Sequence, residues 1–361
     1  MCLGLAAAPQ TSGPSSQLTE AGRLQQAVDK VRNAMGIPGM VVGVAGPGHD
    51  PIIVASGESD RSKHVAVQTD DLFGIGSVTK MFVAVVVLQL AEEGKLGLDD
   101  TIAQYLPDFP HGQHITVRML LQHRSGLGDF ASQLSYNPGD ATAGLLLFVA
   151  VQHQWTHDEL VQLAVAQPPM FPPGEGCRYS NADYILLGRI IELCTGRTVA
   201  EEIRTRILTP LGLKHTFLAG EERLPPSRMR CYRLFGADYV DCLASENASL
   251  AWSAGAMASD ASDLLRFAPA LFEGKLLKPE MLAQMVSFEP IDLVERYGMG
   301  VREHNAGFGL LWGHQGQTIG FTCVLWYDPA THDTYVVLTN MQLEDQDPLV
   351  QAARACLHGT G

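Results

Sequence analysis

Two hydrophobic rhythms alternate along the chain. Residues 18–35 carry Leu24, Ala27, Val28, Val31 and Met35 at helical spacing and stop at Gly36-Ile37-Pro38-Gly39. Residues 40–45 and 52–56 are short β-rich runs around Gly46-Pro47-Gly48-His49-Asp50, which predicts a hairpin. Residues 81–91 are apolar on every side and predict a buried helix. From 101 to 243 helical patterns dominate (117–122, 158–166, 182–194, 199–208), joined by Pro/Gly loops with little strand signal. Strand patterns return at 298–302, 307–312, 318–327 and 334–340, before a last amphipathic helix over 348–357.

Sequential strands joined by tight turns favour an antiparallel sheet. The pattern therefore predicts an α/β chain of the α+β type. An antiparallel sheet flanked by helices is built from both chain ends (18–95 and 245–358), and an all-helical domain (96–244) is inserted between them. Residues 1–17 read as disordered or as the remnant of a signal peptide.

Composition narrows the function. At 361 residues, 46% hydrophobic and 18% charged, the chain is long enough for a sizeable core. A net charge of −14 with no Lys/Arg-rich block argues against nucleic acid. The longest apolar run, 81–91, is too short to span a bilayer. Seven scattered cysteines without CxxC spacing exclude zinc-ribbon and thioredoxin readings and leave room for one disulfide. His153 and His157 are four apart but lack the Glu of a zinc-protease motif, so no metal is expected. Neither Gly-x-Ser-x-Gly nor a phosphate-cradling Gly-x-x-x-x-Gly-Lys occurs, and no cofactor is expected.

Three segments carry candidate chemistry. In Phe73-Gly74-Ile75-Gly76-Ser77-Val78-Thr79-Lys80, two glycines allow a sharp turn that puts Ser77 in the first turn of the buried helix. Lys80 follows on the same face, and burial makes a lysine a better proton acceptor. Alone, such a pair is equally an N-cap followed by a solvated lysine. Pro172-Pro173-Gly174 then projects Tyr179 and Asn181 from one side of an extended stretch before a helix. A phenol beside a cation loses its proton more easily and serves as general base and acid. The plainer reading is a loop tyrosine and a helix cap. Finally, Trp312-Gly313-His314-Gln315-Gly316-Gln317 lies on a strand that turns His314 into a cleft. There the Gln317 amide pairs with that of Ser77 to hold an oxyanion.

In this order the three segments resemble the serine β-lactamase-like and penicillin-binding superfamily. Its fingerprint is Ser-x-x-Lys, then Tyr-x-Asn or Ser-x-Asn, then Lys or His before x-Gly on a strand. Tyr179-Ser180-Asn181 places the chain on the class C side, with class C β-lactamases, D-alanyl-D-alanine carboxypeptidases and family VIII carboxylesterases. The resemblance runs from Leu18 to Leu357 and includes Leu120-Leu121-Gln122-His123-Arg124-Ser125-Gly126-Leu127 and Trp252-Ser253-Ala254-Gly255-Ala256-Met257.

It implies that Ser77 is acylated while Lys80 and Tyr179 handle the proton. Asn181 binds the substrate's amide carbonyl, and the Ser77 and Gln317 amides form the oxyanion hole. His314 stands where β-lactamases have lysine, and Arg302 matches the arginine that binds a peptide's C-terminal carboxylate. Both favour a carboxypeptidase/transpeptidase that binds penicillins, although Gln315 departs from that subgroup's usual hydroxyl residue. Trp252 is expected to wall the substrate channel, and activity to change near the ordinary histidine pKa of about 6 to 7 through His314. The alternatives are an esterase, a weak β-lactamase, or a non-catalytic penicillin-binding-type sensor. A small-molecule or peptide substrate is expected in each case: a D-Ala-D-Ala peptide, a β-lactam or an ester. A peptidoglycan substrate implies a periplasmic or secreted protein; an esterase is compatible with the cytoplasm.

Overall fold

The computed structural model describes residues 19–130, 150–226, 229–291 and 295–358. The reading of 1–17 lies outside them. A nine-stranded antiparallel sheet forms the backbone of the molecule. Its strands run Val65–Ala66, Ile52–Asp60, Gly39–Ala45, Thr334–Thr339, Thr322–Tyr327, Leu310–Gln317, Arg302–Asn305, Arg296–Tyr297 and Glu289–Pro290. The first and last thirds of the chain thus meet at the centre, where Met40 opposes Thr339.

Side-chain alternation sets the layers. Met40, Val42 and Val44 face one core with Leu24, Val28, Leu349 and Val350, from the helices Glu20–Met35 and Asp347–His358. Val41, Leu325, Val336 and Leu338 face the larger core with helices Thr79–Glu92 and Ala261–Phe272. Phe82 and Phe267 stack there at 3.8 Å between ring centroids. Because helices cover both faces, Thr322–Tyr327 and Thr334–Thr339 are buried throughout and read as continuous apolar runs.

Some boundaries differ from the sequence reading. Residues 298–301 form a turn between two strands, closed by Gly298 N–H donating to Val301 O with Gly300 at φ 77°. Residues 318–321 likewise turn the chain, so the strand expected from 318 begins at Thr322. The inserted segment is not wholly helical: Phe217–Leu218, Tyr232–Phe235 and Asp238–Asp241 are strands. Phe217–Leu218 joins Met257–Ser259 and Phe73–Gly74 in a three-stranded sheet behind Ser77. That the main sheet draws on residues 39–66 and 289–339 supports, as a proposal, the division at 95 and 245.

A close backbone approach joins Leu310–Gln317 to the turn Gly76–Val78. A Cβ on Gly316 would sit 2.0 Å from Ile75 O and 2.7 Å from Ser77 N; one on Gly76 would sit 2.6 Å from Gln317 N. Only hydrogen at both positions lets the two backbones touch. Gly316→Ala is therefore expected to lose about 1–3 kcal/mol of stability or more, as overpacking against backbone. Denaturant unfolding checks this, and an unchanged midpoint would contradict it.

Candidate active site

Ser77 sits in a single 3₁₀ turn, Gly76–Val78, that feeds the helix Thr79–Glu92. Thr79 fixes the turn: its hydroxyl donates to Gly76 O at 2.6 Å and accepts from Met257 N–H at 3.1 Å. Gly76 adopts φ 50°, the left-handed region glycine favours. The Ser77 amide thus belongs to a first turn, where N–H groups have no intrahelical acceptor, and it faces the Gln317 amide across the glycine contact.

Lys80 is wholly buried. Its Nζ lies 3.0 Å from Ser77 Oγ, 2.8 Å from Asn181 Oδ1 and 2.6 Å from Ala254 O. Burial, with the Arg302 charge nearby, lowers its pKa from the ordinary lysine value to about 7, against a partial upward pull from Asp129 and Asp183. The neutral amine has two hydrogens and one lone pair. Asn181 Oδ1 and Ala254 O can only accept, so the lone pair is left facing the Ser77 hydroxyl.

Asp129 settles which way Asn181 points. Its carboxylate accepts from Asn181 Nδ2 at 3.3 Å and from the Asn181 backbone N–H at 3.2 Å, so Oδ1 must face Lys80. It also caps the helix Asn181–Thr195, whose N-cap Ser180 makes no side-chain cap bond. No periodicity or motif points to Asp129 in the sequence.

Tyr179 packs between two cations. Lys80 Nζ lies 4.8 Å and Arg302 Cζ 5.0 Å from its ring centroid, and the His123 ring is 4.3 Å away. The residue is partly exposed, but its hydroxyl is enclosed and makes no well-formed hydrogen bond. Burial pushes the phenol well above its usual pKa; Arg302 and the nearby Ser77 hydroxyl only partly oppose this. Nearby positive charge does ease loss of the phenol proton, as expected, but desolvation outweighs it.

His314 is also corrected. It does not line the cleft but lies buried beneath Tyr179, at 6.1 Å between ring centroids. Gln315 O accepts from Nδ1, so Nε2 accepts the Tyr297 hydroxyl at 3.1 Å. Burial, Arg302 and Lys80 hold its pKa well below the usual histidine value, so the switch expected near pH 6 to 7 does not arise from this ring.

Arg302 is mostly buried, ion-paired to Glu295, and outside the cleft lining, so the carboxylate clamp expected of it is not formed in this arrangement. Trp252 is buried rather than on the channel wall. Its indole donates to Glu221 at 2.6 Å and stacks on His157 at 3.7 Å. Its role is corrected to packing behind Ala254.

Beside Ser77 opens a cleft of about 430 Å³ lined by Asn181, Gln317, Glu246, Arg233 and the apolar side chains of Phe130, Val151, Leu250 and Ile319. Ser77, Lys80, Tyr179, Asn181 and the Gln317 amide therefore meet at one place. Sequence reasoning missed Asp129, Thr79, Tyr297 and Asp183. Asp183 is buried, accepts from Ser125 Oγ at 2.5 Å and lies 2.9 Å from His123 Nδ1. Burial raises the Asp183 pKa well above normal and lowers that of His123 well below it.

The Beta-lactamase family profile matches residues 24–358. The chain is 29% identical over 322 residues to penicillin-binding protein 4* of Bacillus subtilis strain 168, covering 84% of this chain and 68% of that protein. It spans about half to two thirds of the length of the curated relatives heading the comparison. The D-amino acid amidase of Ochrobactrum anthropi SV3 superposes with a TM-score of 0.82 at 28% identity, over 93% of this chain and 98% of that one. A D-stereospecific amidohydrolase from Streptomyces sp. gives 0.80 at 30% identity, over 94% and 99%. With the profile covering nearly the whole chain and a serine–lysine pair at its centre, this protein belongs to the beta-lactamase family of serine hydrolases.

Proposed function

We propose that the chain hydrolyses short amides and peptides of D-configured amino acids through an acyl-enzyme on Ser77. The observation that carries the mechanism is the buried Lys80 Nζ 3.0 Å from the Ser77 hydroxyl, where a pKa lowered to about 7 makes the neutral amine available at neutral pH. As Ser77 Oγ bonds to the substrate carbonyl carbon, its proton passes to Lys80. The carbonyl oxygen becomes an oxyanion held by the Ser77 and Gln317 amides. The C–N bond then breaks, and the departing amine takes a proton through Tyr179, which is neutral at rest and flanked by Lys80 and Arg302. Water repeats the sequence on the ester and frees Ser77. Asn181 positions both Lys80 and the substrate.

The substrate class rests on two supports. The amidase and amidohydrolase resemble this chain over almost their whole length. The arginine expected to bind a C-terminal carboxylate is paired with Glu295 outside the cleft, which favours amides over peptides with a free D-alanyl terminus. The carboxypeptidase reading is favoured by one observation, the nearness of Arg302 to Tyr179, from which a substrate carboxylate could draw it off Glu295. An exported location goes with that second reading.

Two outcomes test this. The rate constant kcat/KM for a short p-nitrophenyl ester is expected to rise with pH through about 7, as Lys80 loses its proton, and to fall about tenfold per unit below. A flat profile from pH 5 to 8 would contradict Lys80 as the base. Lys80→Arg keeps the charge but cannot deprotonate, and is expected to lose at least about 10²-fold in kcat. On one preparation, D-phenylalanine amide should be turned over roughly tenfold or more faster than its L-enantiomer and than a D-Ala-D-Ala peptide. The reverse order would establish the carboxypeptidase reading, and turnover of esters alone would leave neither.

A further inference from the structure

Behind the cleft wall lies a pair of thiols that the reaction does not use. Cys231 precedes the strand Tyr232–Phe235 and Cys242 follows Asp238–Asp241. The register, Tyr232 opposite Asp241, carries on to place Cys231 opposite Cys242, with Cys242 N–H donating to Cys231 O at 2.9 Å. Directly opposed residues put their side chains on one face of the ladder. Their sulfurs lie 3.4 Å apart. A disulfide needs them about 2.05 Å apart, a closure of little more than 1 Å that side-chain rotation supplies.

The surroundings are shaped to this pair. Gly320 covers both sulfurs: a Cβ there would fall 2.4 Å from Cys242 Sγ and 2.6 Å from Cys231 Sγ. Cys231 Sγ also lies 3.8 Å from Glu246 Oε1. That oxygen accepts from Thr318 Oγ1 at 2.6 Å and from Gly320 N–H at 2.9 Å. Glu246 and Thr318 line the cleft, and Thr318 follows Gln317, whose amide faces Ser77. The thiols therefore stand one layer behind the wall that carries half of the proposed oxyanion hole.

We propose that Cys231 and Cys242 are a redox modification site, closing to a reversible cross-strand disulfide that braces this wall. The oxidant is a low-molecular-weight disulfide of the oxidised-glutathione class. Cys242, the slightly more exposed of the two, loses its proton and attacks one sulfur of the reagent, forming a mixed disulfide and releasing one thiolate. Cys231 loses its proton and attacks Cys242 Sγ, forming the internal bond and releasing the second thiol. Two protein thiols are oxidised and the reagent is reduced to two thiols. The bond closes a loop from 231 to 242, restricting the unfolded chain more than the folded one.

The test uses the intact chain equilibrated in oxidised and in reduced glutathione, then alkylated and mapped without reductant. Oxidation should yield a protein two hydrogens lighter, with the Cys231 and Cys242 peptides joined. It should also raise Tm by several degrees, reversed by dithiothreitol. Cys231→Ser and Cys242→Ser should each abolish both shifts. A stable glutathione adduct on Cys242, a bond to any other cysteine, unchanged peptides in strong oxidant, or joined peptides with an unchanged Tm would overturn the proposal. Mapping the wild-type chain keeps the test valid even if a serine variant folds poorly.

Discussion

Everything in the catalytic cleft depends on keeping the Lys80 ammonium out of water. The helix that carries it is buried from Thr79 to Leu88, so no solvent reaches the nitrogen from its own element. Three partners satisfy it, but none is a carboxylate in direct contact; Asp129 and Asp183 pull its pKa up only from a distance, and burial together with Arg302 outweighs them. A buried ion whose direct contacts are all neutral is expensive. The Lys80 pKa is thereby brought down to about 7, and the neutral amine formed on deprotonation is the state that can take the Ser77 proton. Direct pairing to a carboxylate would give a more comfortable lysine and a useless base.

A layer of neutral polar rings beneath Tyr179 preserves this balance. His123, Tyr297 and His314 are all buried, and burial keeps each in its uncharged form. The charge among these rings belongs to Arg302, and it is ion-paired with Glu295. Had either histidine been cationic, the added positive charge would have lowered Lys80 further and drawn Tyr179 toward phenolate. The layer thus leaves the two groups apart in pKa: Lys80 is lowered to about 7, while burial raises Tyr179 well above its usual value.

How much of this was legible follows from how local each signal is. Ser77 with Lys80, and Tyr179 with Asn181, announce themselves because the spacing that makes them chemically useful lies within one turn or one extended stretch. The sheet was readable for the same reason, since period-two alternation and tight turns are properties of neighbouring residues. His314 and Trp252 were found as motif members but misplaced, because which face of a strand or kinked helix meets a cavity is decided by packing against distant elements. Arg302 was found, but not Glu295, which occupies it. Asp129 had no signal at all; its value comes from meeting Asn181, 52 residues on, at a helix end whose own cap residue bonds elsewhere.

Trp252 shows what the misplaced residues do instead. Its backbone sits at φ 33°, a conformation a bulky side chain adopts only when its surroundings impose it. Those surroundings are the bond to Glu221, held in turn by Ala200 N–H, and the flat stack of His157. The kink lies two residues before Ala254, whose carbonyl accepts from Lys80 at 2.6 Å, while Trp252 O receives the Ala256 N–H. Ala254 lies in the last turn of the helix Ala248–Gly255, where carbonyls have no intrahelical donor, so its oxygen is available to accept from Nζ. With Asn181 as the second acceptor, the lone pair of the neutral amine is left to face Ser77.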